Sequence, residues 1–132
     1  MNPTSLFIDE HFRKHRFWLA IFLYMAVLVF GSIPGARGEV GEYATGLVLH
    51  FVTYAAIAFL LFTGFQGESA FKGTRTVILI AMMGALDEYV QSFLPYRRAA
   101  IGDWSVDASA GIVMSALLSA ILPVIRRRVA AP

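Results

Sequence analysis

Residues 17–33 read FWLAIFLYMAVLVFGSI, a continuous run without a charged side chain. A helix that crosses a bilayer needs roughly 20 predominantly apolar residues. Three further runs of comparable length follow, at residues 45–65, 76–94 and 104–125. Only His50 interrupts the first of these, whereas the next loses its apolar character at Asp87 and Glu88. We therefore predict an all-α integral membrane protein, a four-helix bundle whose single domain comprises residues 1–132.

The composition of the chain favours the same class. Hydrophobic residues make up 58% and charged residues 15%, whereas soluble domains average about 45–50% and about 25%. The net charge of +2 argues against nucleic acid as a partner. The absence of cysteine excludes disulfides, thiolate zinc sites and cysteine nucleophiles. A cleaved signal peptide at residues 17–33 is disfavoured, because no Ala-x-Ala site follows it.

The positions of lysine and arginine predict the orientation of the bundle. Eight lie in the amino-terminal segment, the second loop and the carboxyl-terminal tail: Arg13, Lys14, Arg16, Lys72, Arg75, Arg126, Arg127 and Arg128. Only three lie in the first and third loops: Arg37, Arg97 and Arg98. We therefore expect a multi-pass protein of the inner (cytoplasmic) membrane, with both termini in the cytoplasm and the first and third loops outside.

Polar side chains form stripes at one predicted depth. One face of the third span, at spacings of three and four residues, carries Gly84, Asp87, Glu88 and Gln91. The spans on either side carry stripes at i, i+4, which contain His50 and Tyr54, and Asp103 and Asp107. All these side chains lie within about 13 Å of the outer ends of their helices. A carboxylate at the centre of a membrane helix costs about 2.5–3.5 kcal/mol, so this set is the candidate functional site.

Each residue of the set also has a structural interpretation. His50 and Tyr54 would pack between helices, and Asp103 would cap the fourth helix at its amino terminus. Arg97 and Arg98 would reach lipid phosphates at the surface. The two adjacent acids of the third span are hardest to explain structurally, because a buried pair of like charges requires a partner.

These residues resemble the VanZ-like family of small bacterial membrane proteins, whose namesake is an accessory glycopeptide-resistance protein associated with teicoplanin tolerance. Residues 87–97 read DEYVQSFLPYR, which is similar to the family's DE-x-x-Q-x-F-x-P-x-R stretch. His50 and Tyr54 resemble the His-x-x-x-Tyr of the family's second span. Asp103 and Asp107 resemble the acidic positions that follow the DE-x-x-Q stretch in the family. Ala100 departs from the pattern, since many members carry Ser or Thr in this region. The resemblance implies a cell-envelope function linked to glycopeptide resistance.

We expect the site to bind or modify a cell-envelope lipid or a lipid-linked precursor. As catalytic residues we expect Glu88 as the acid or base, Asp87 as its proton-sharing partner and His50 as a second proton carrier. The ligand-binding residues would be Arg97, Arg98, Gln91, Tyr54, Asp103 and Asp107. The arginines suit a phosphate or carboxylate. The expected partners are membrane lipids, such a precursor or a glycopeptide antibiotic.

Two other functions stay open. A non-catalytic protein would bind a lipoglycopeptide or envelope lipid in the same pocket without turnover, so the sequence does not decide whether the chain is an enzyme. A proton-coupled carrier is less favoured, because residues 77–86 and 112–125 contain no ionisable group. No cofactor is expected. The spans lack His-x-x-x-His and Glu-x-x-His pairs, so a divalent metal is chemically compatible but not favoured.

Overall fold

The computed structural model describes residues 9–35 and 46–130. A short 3-10 turn, Glu10–Phe12, is followed by four helices: α1 (Arg13–Gly31), α2 (Gly46–Gly64), α3 (Ser69–Ser92) and α4 (Ile101–Ala130). The prediction of an all-helical chain with four helices is confirmed. Arg37 of the first loop and Thr45, the predicted start of the second span, lie outside the described residues.

The helices extend beyond the apolar runs that identified them. α1 begins at Arg13 rather than at residue 17, and α3 begins at Ser69 rather than at residue 76. The backbone hydrogen bonds of a helix continue through polar residues, so hydropathy underestimates its length. α4 begins at Ile101, which puts Asp103 in the first turn. The alternative interpretation of Asp103 as the N-cap is therefore wrong, although an acid in the first turn still interacts favourably with the helix dipole.

Three helical stretches are long and apolar enough to cross a membrane: Glu10–Gly31, Gly46–Gly64 and Ile101–Arg127. α3 has 24 residues and is therefore about 36 Å long, but it is not among these stretches. Lys72 and Arg75 lie near its start, and Asp87 and Glu88 lie near its end. These four charges lower the hydropathy of a helix whose middle is apolar.

Contacts at the two ends of the bundle show that consecutive helices run in opposite directions. At one end the Arg16 guanidinium donates to the carbonyl oxygen of Thr63, 2.9 Å away, which joins the start of α1 to the end of α2. At the other end Arg97, just after α3, donates to the carbonyl oxygen of Gly31 at 2.7 Å. α2 and α3 are joined by a short turn in which Gly67 has a φ of 114°, a conformation that favours glycine.

The core lies between α2 and its neighbours. α4 packs against both α2 and α3, whereas α1 packs chiefly against α2. The buried cluster contains residues from all four helices: Ala20, Tyr24, Tyr54, Ile57, Ala58, Leu61, Ile80, Met83 and Ala110. Since α1 and α3 make few contacts with each other, a cleft remains between them.

Candidate functional site

His50, in the second turn of α2, lies between acidic side chains of α4. Its Nδ1 is 2.8 Å from Oδ1 of Asp107, and its Nε2 is 3.7 Å from Oδ2 of Asp103. The four-residue spacing places both aspartates on the face of α4 that packs against α2. His50 and Asp107 are buried, with 7% and 0% of their surface exposed. The predicted stripes of α2 and α4 therefore meet at this histidine.

Tyr54, one turn after His50, connects α2 to α3. Its hydroxyl donates to Oδ2 of Asp87 at 3.3 Å, and both side chains are buried. The rings of Tyr54 and His50 are parallel, with centroids 6.1 Å apart. Tyr24 of α1 donates to the carbonyl oxygen of Met83 at 3.0 Å, one turn before Asp87. Two tyrosines thus attach α1 and α2 to the part of α3 that carries the acid.

Gly84 allows α3 to lie close to the Asp107 carboxylate. A Cβ atom at this position would lie 3.0 Å from Oδ2 of Asp107, and the other nearby side chain is Trp104. Trp104 is itself held by a hydrogen bond from its Nε1 to the carbonyl oxygen of Ala81, at 3.0 Å. Oδ2 of Asp107 is buried and has no hydrogen-bond partner among the described residues.

The two adjacent acids of α3 have different partners. Asp87 accepts the Tyr54 hydroxyl, whereas Oε2 of Glu88 accepts the backbone N–H of Ala100 at 2.6 Å. Adjacent residues of a helix point about 100° apart, which explains the divergence. Glu88, predicted to share a proton with Asp87, thus faces the connection between α3 and α4. Since Ala100 acts through its backbone, the absence of a side-chain hydroxyl there does not affect this bond.

Arg97 joins the connection after α3 to the end of α1. Its Nη2 donates to Oε1 of Gln91 at 2.5 Å and its Nη1 to the carbonyl oxygen of Gly31 at 2.7 Å. The hydroxyl of Tyr96 donates to the carbonyl oxygen of Ser32. Arg98, which the sequence placed with Arg97, is exposed and does not line the cleft described next.

The cleft between α1, α2 and α3 has a volume of about 420 Å³. One wall is the apolar side of α1: Leu23, Ala26, Val27 and Phe30. The polar part of the lining contains Thr53, which the sequence analysis did not single out, and five residues that it did: His50, Tyr54, Asp87, Gln91 and Arg97. Three further members of the predicted set, Glu88, Asp103 and Asp107, do not line the cleft. Asp103 and Asp107 contact His50, which does.

The contribution of α1 to the cleft is not predictable from its sequence. Leu23, Val27 and Phe30 share one face at spacings of four and three residues, the signal of an amphipathic helix. Because residues 17–33 are apolar on every side, this face cannot be distinguished in the sequence from the other apolar faces of the helix.

The acids and the imidazole form two groups that could hold a cation. His50, Asp87 and Asp107, from three different helices, each place a ligand atom within 4.8 Å of the others. His50, Glu88 and Asp103 form a second such group. A histidine between carboxylates can hold a proton or share a metal ion.

The chain was compared with protein-family models, with curated protein sequences and with solved structures, and none of them matches it.

Proposed function

We propose that this chain is an integral protein of the bacterial cytoplasmic membrane whose cleft between α1 and α3 binds an amphiphile. The amphiphile would be an envelope lipid or a lipid-linked envelope precursor. The cleft carries the proposal, because its lining is apolar along α1 and polar where α2, α3 and Arg97 meet. Its volume of about 420 Å³ falls in the usual range for small-molecule sites, roughly 300–1,000 Å³.

The outer surface of the helices supports membrane insertion. On α1, Trp18 is 66% and Phe22 71% exposed, and Val52 of α2 and Met82 of α3 are also largely exposed. Soluble monomers rarely leave large apolar side chains in contiguous patches. A lipid environment accounts for them, since it removes the cost of their contact with water.

α3 also fits a membrane-spanning role when its polar residues are considered individually. Lys72, Asp87 and Gln91 are buried inside the bundle, whereas Ile78 and Met82 face outward. Charged residues in membrane helices usually face the bundle interior in this way. The lysine and arginine distribution then orients the cleft toward the outer leaflet, with both termini in the cytoplasm.

The polar part of the cleft suits an anionic head group. A guanidinium can donate two parallel hydrogen bonds to a phosphate or carboxylate. Arg97 lines the cleft and is oriented by Gln91 and by the end of α1. The head group would lie against Arg97, and the first part of its apolar chain against Val27 and Phe30.

The same geometry supports either binding alone or modification of the ligand. In the catalytic form, His50 transfers protons and Asp87 assists it, because both line the cleft, whereas Glu88 is not among the lining residues. In the binding form, Arg97 holds the head group without turnover. Incubation of the purified protein with envelope lipids, followed by mass spectrometry, distinguishes the two, because a mass change in any lipid requires catalysis.

Arg97 and Arg98 provide a matched pair for testing the binding site. They are adjacent and identical in charge, but only Arg97 lines the cleft. Native mass spectrometry of the protein with a short-chain polyprenyl phosphate measures binding. A hydrogen bond to a charged group contributes about 1.5–3 kcal/mol, so Arg97→Ala should weaken binding by about 10-fold or more. Arg98→Ala should change it little. Equal effects of the two substitutions, or no binding by the unmodified chain, would contradict the proposal.

The resemblance to VanZ-like proteins supports a link between this site and glycopeptide resistance. Expression of the chain in a susceptible bacterium should raise the minimal inhibitory concentration of teicoplanin. Arg97→Ala should abolish the increase, whereas Arg98→Ala should retain it. Unchanged susceptibility with the unmodified chain present in the membrane would reject this link without bearing on lipid binding.

A further inference from the structure

Two buried carboxylates lie beside the imidazole of His50. Asp107 Oδ1 is 2.8 Å from Nδ1, and Asp87 places an oxygen in the same group of ligand atoms, all within 4.8 Å of one another. The three residues come from α2, α3 and α4. All are buried: the exposed fraction of the surface is 7% for His50, 3% for Asp87 and 0% for Asp107. The packing of three helices, rather than one flexible segment, therefore holds the group together.

A second observation points to a ligand in this group. Oδ2 of Asp107 is buried and lacks a hydrogen-bond partner among residues 9–35 and 46–130. It faces α3 at Gly84, less than one turn from Asp87. A buried carboxylate oxygen without a donor is unfavourable, because it has lost its hydration without replacement. A cation beside this oxygen would supply the missing interaction.

The charges of the group lead to the same conclusion. When both are ionised, the two buried carboxylates carry two negative charges, and one imidazole can supply at most one positive charge. The Tyr54 hydroxyl donates to Asp87 at 3.3 Å but carries no charge. Buried acids of this kind are normally paired or coordinate a metal ion. A divalent cation would neutralise both carboxylates without requiring a proton on His50.

We propose that His50, Asp87 and Asp107 bind a divalent transition-metal cation, Zn²⁺ or Mn²⁺. One imidazole nitrogen with two carboxylate oxygens suits these ions better than Mg²⁺ or Ca²⁺, which prefer oxygen ligands alone. Donors about 2.1 Å from one ion lie about 3–3.5 Å apart, so side-chain rotations from the present separations would complete the site. His50 and Asp87 also line the cleft, so a coordination position would be open to a ligand there. The Tyr54 hydroxyl, bound to Asp87, would orient that ligand from outside the coordination sphere.

This inference goes beyond the proposed amphiphile site, and metal binding is measured without an amphiphile. The full chain, without a histidine tag, is placed in phosphatidylcholine nanodiscs and treated with EDTA. After dialysis it is titrated with Zn²⁺ and, separately, with Mn²⁺. Mass spectrometry of the metal content after gel filtration should give about one ion per chain.

An adventitious site has to be removed from the experiment. His11 and His15 are exposed and lie one helical turn apart at the opposite end of the bundle, a spacing that can bind zinc. All measurements therefore use a chain with His11→Gln and His15→Gln. If the bound ion disappears in this background, surface histidines held it and the proposal is wrong.

The matched variants are Asp107→Asn and Glu68→Gln, each of which neutralises one carboxylate. Asp107 belongs to the group, whereas Glu68 is exposed at the distant start of α3. Loss of even an outer partner of a metal ligand weakens binding by about 10–100-fold, so Asp107→Asn should weaken it by at least about 10-fold. Glu68→Gln should have no effect, and equal affinities in the two variants would overturn the assignment.

Asp107→Asn removes a buried contact, and unfolding of the protein by this substitution would also abolish metal binding. A measurement on the chain with native His50, Asp87 and Asp107 avoids this objection. Pulsed electron paramagnetic resonance of bound Mn²⁺ should show coupling to one imidazole nitrogen, and the absence of that coupling rejects His50 as a ligand. Arg97→Ala should leave metal binding unchanged even if it abolishes lipid binding, so the two proposals fail independently.

Discussion

Replacing Gly84 by alanine places a methyl group against the carboxylate of Asp107. The new Cβ would lie 3.0 Å from Oδ2 and 3.1 Å from Cβ of Asp107, and 3.4 Å from Cδ1 of Trp104. Ordinary carbon contacts are about 3.5–4.0 Å, so at least one neighbour has to move by several tenths of an ångström. Asp107 is held by His50 at 2.8 Å and Trp104 by the Ala81 carbonyl at 3.0 Å. Either movement therefore stretches a hydrogen bond.

The size of the effect follows from two opposing contributions. Overpacking a well-packed interior costs typically about 1–3 kcal/mol. Alanine is favoured over glycine inside a helix by about 1 kcal/mol. We expect a net destabilisation of up to about 2 kcal/mol for Gly84→Ala, which is a large fraction of the stability of a small domain.

Gly73→Ala is the matched control, because both glycines are buried residues of α3. A Cβ at Gly73 would lie 3.7 Å from Phe62 and Ser115 and 3.8 Å from Ser119, which are ordinary contacts. The helix preference for alanine then acts alone, and Gly73→Ala should be neutral or stabilising by up to about 1 kcal/mol. Gly84→Ala is thus expected to be less stable than Gly73→Ala.

The assay is reversible unfolding by SDS in mixed micelles, followed by far-UV circular dichroism. Gly84→Ala should unfold at a lower SDS fraction than the unmodified chain, and Gly73→Ala at the same or a higher fraction. If Gly84→Ala is as stable as Gly73→Ala, then α3 does not lie as close to Asp107 as described, and the geometry of the site has to be revised.

Two further predictions concern the packing of α1 and use the same unfolding assay. A Cβ at Gly64 would lie 2.9 Å from the backbone nitrogen of Phe17. Gly64→Ala should therefore push α1 away from α2 and lower the free energy of unfolding by about 2–3 kcal/mol. A decrease below about 0.5 kcal/mol would contradict this. Tyr24→Phe removes the 3.0 Å hydrogen bond to the Met83 carbonyl and should cost about 1 kcal/mol, whereas unchanged stability would mean that this bond does not hold α1 to α3.

The existence of the helices was predictable, but their ends were not. An apolar run identifies a helix when the apolar residues are consecutive, as in residues 17–33. α3 begins at Ser69 and includes the buried Lys72 and Gly73, which hydropathy assigns to a loop. The burial of Lys72 depends on the neighbouring helices, and a single-sequence pattern contains no information about them.

The candidate site was predictable as a set of residues and not as a set of contacts. The stripes carrying His50, Tyr54, Asp87 and Asp107 follow from helical spacing, and the structure places these residues together. Their pairing does not follow from spacing, because it depends on how far each helix is rotated about its own axis. Their adjacency predicts that Asp87 and Glu88 share a proton, whereas in the structure Asp87 is bound by Tyr54 and Glu88 by the backbone of Ala100.

The sequence by itself determined that this chain is helical and that its few internal polar residues form stripes on three helices. Both properties depend on the local repeat of the α-helix, which is the same wherever the helix is placed. Only the tertiary structure decided that α1 supplies the apolar wall of the cleft and that His50 lies between Asp107 and Asp103. These features depend on close packing between distant segments, where small residues such as Gly84 set how closely two helices approach.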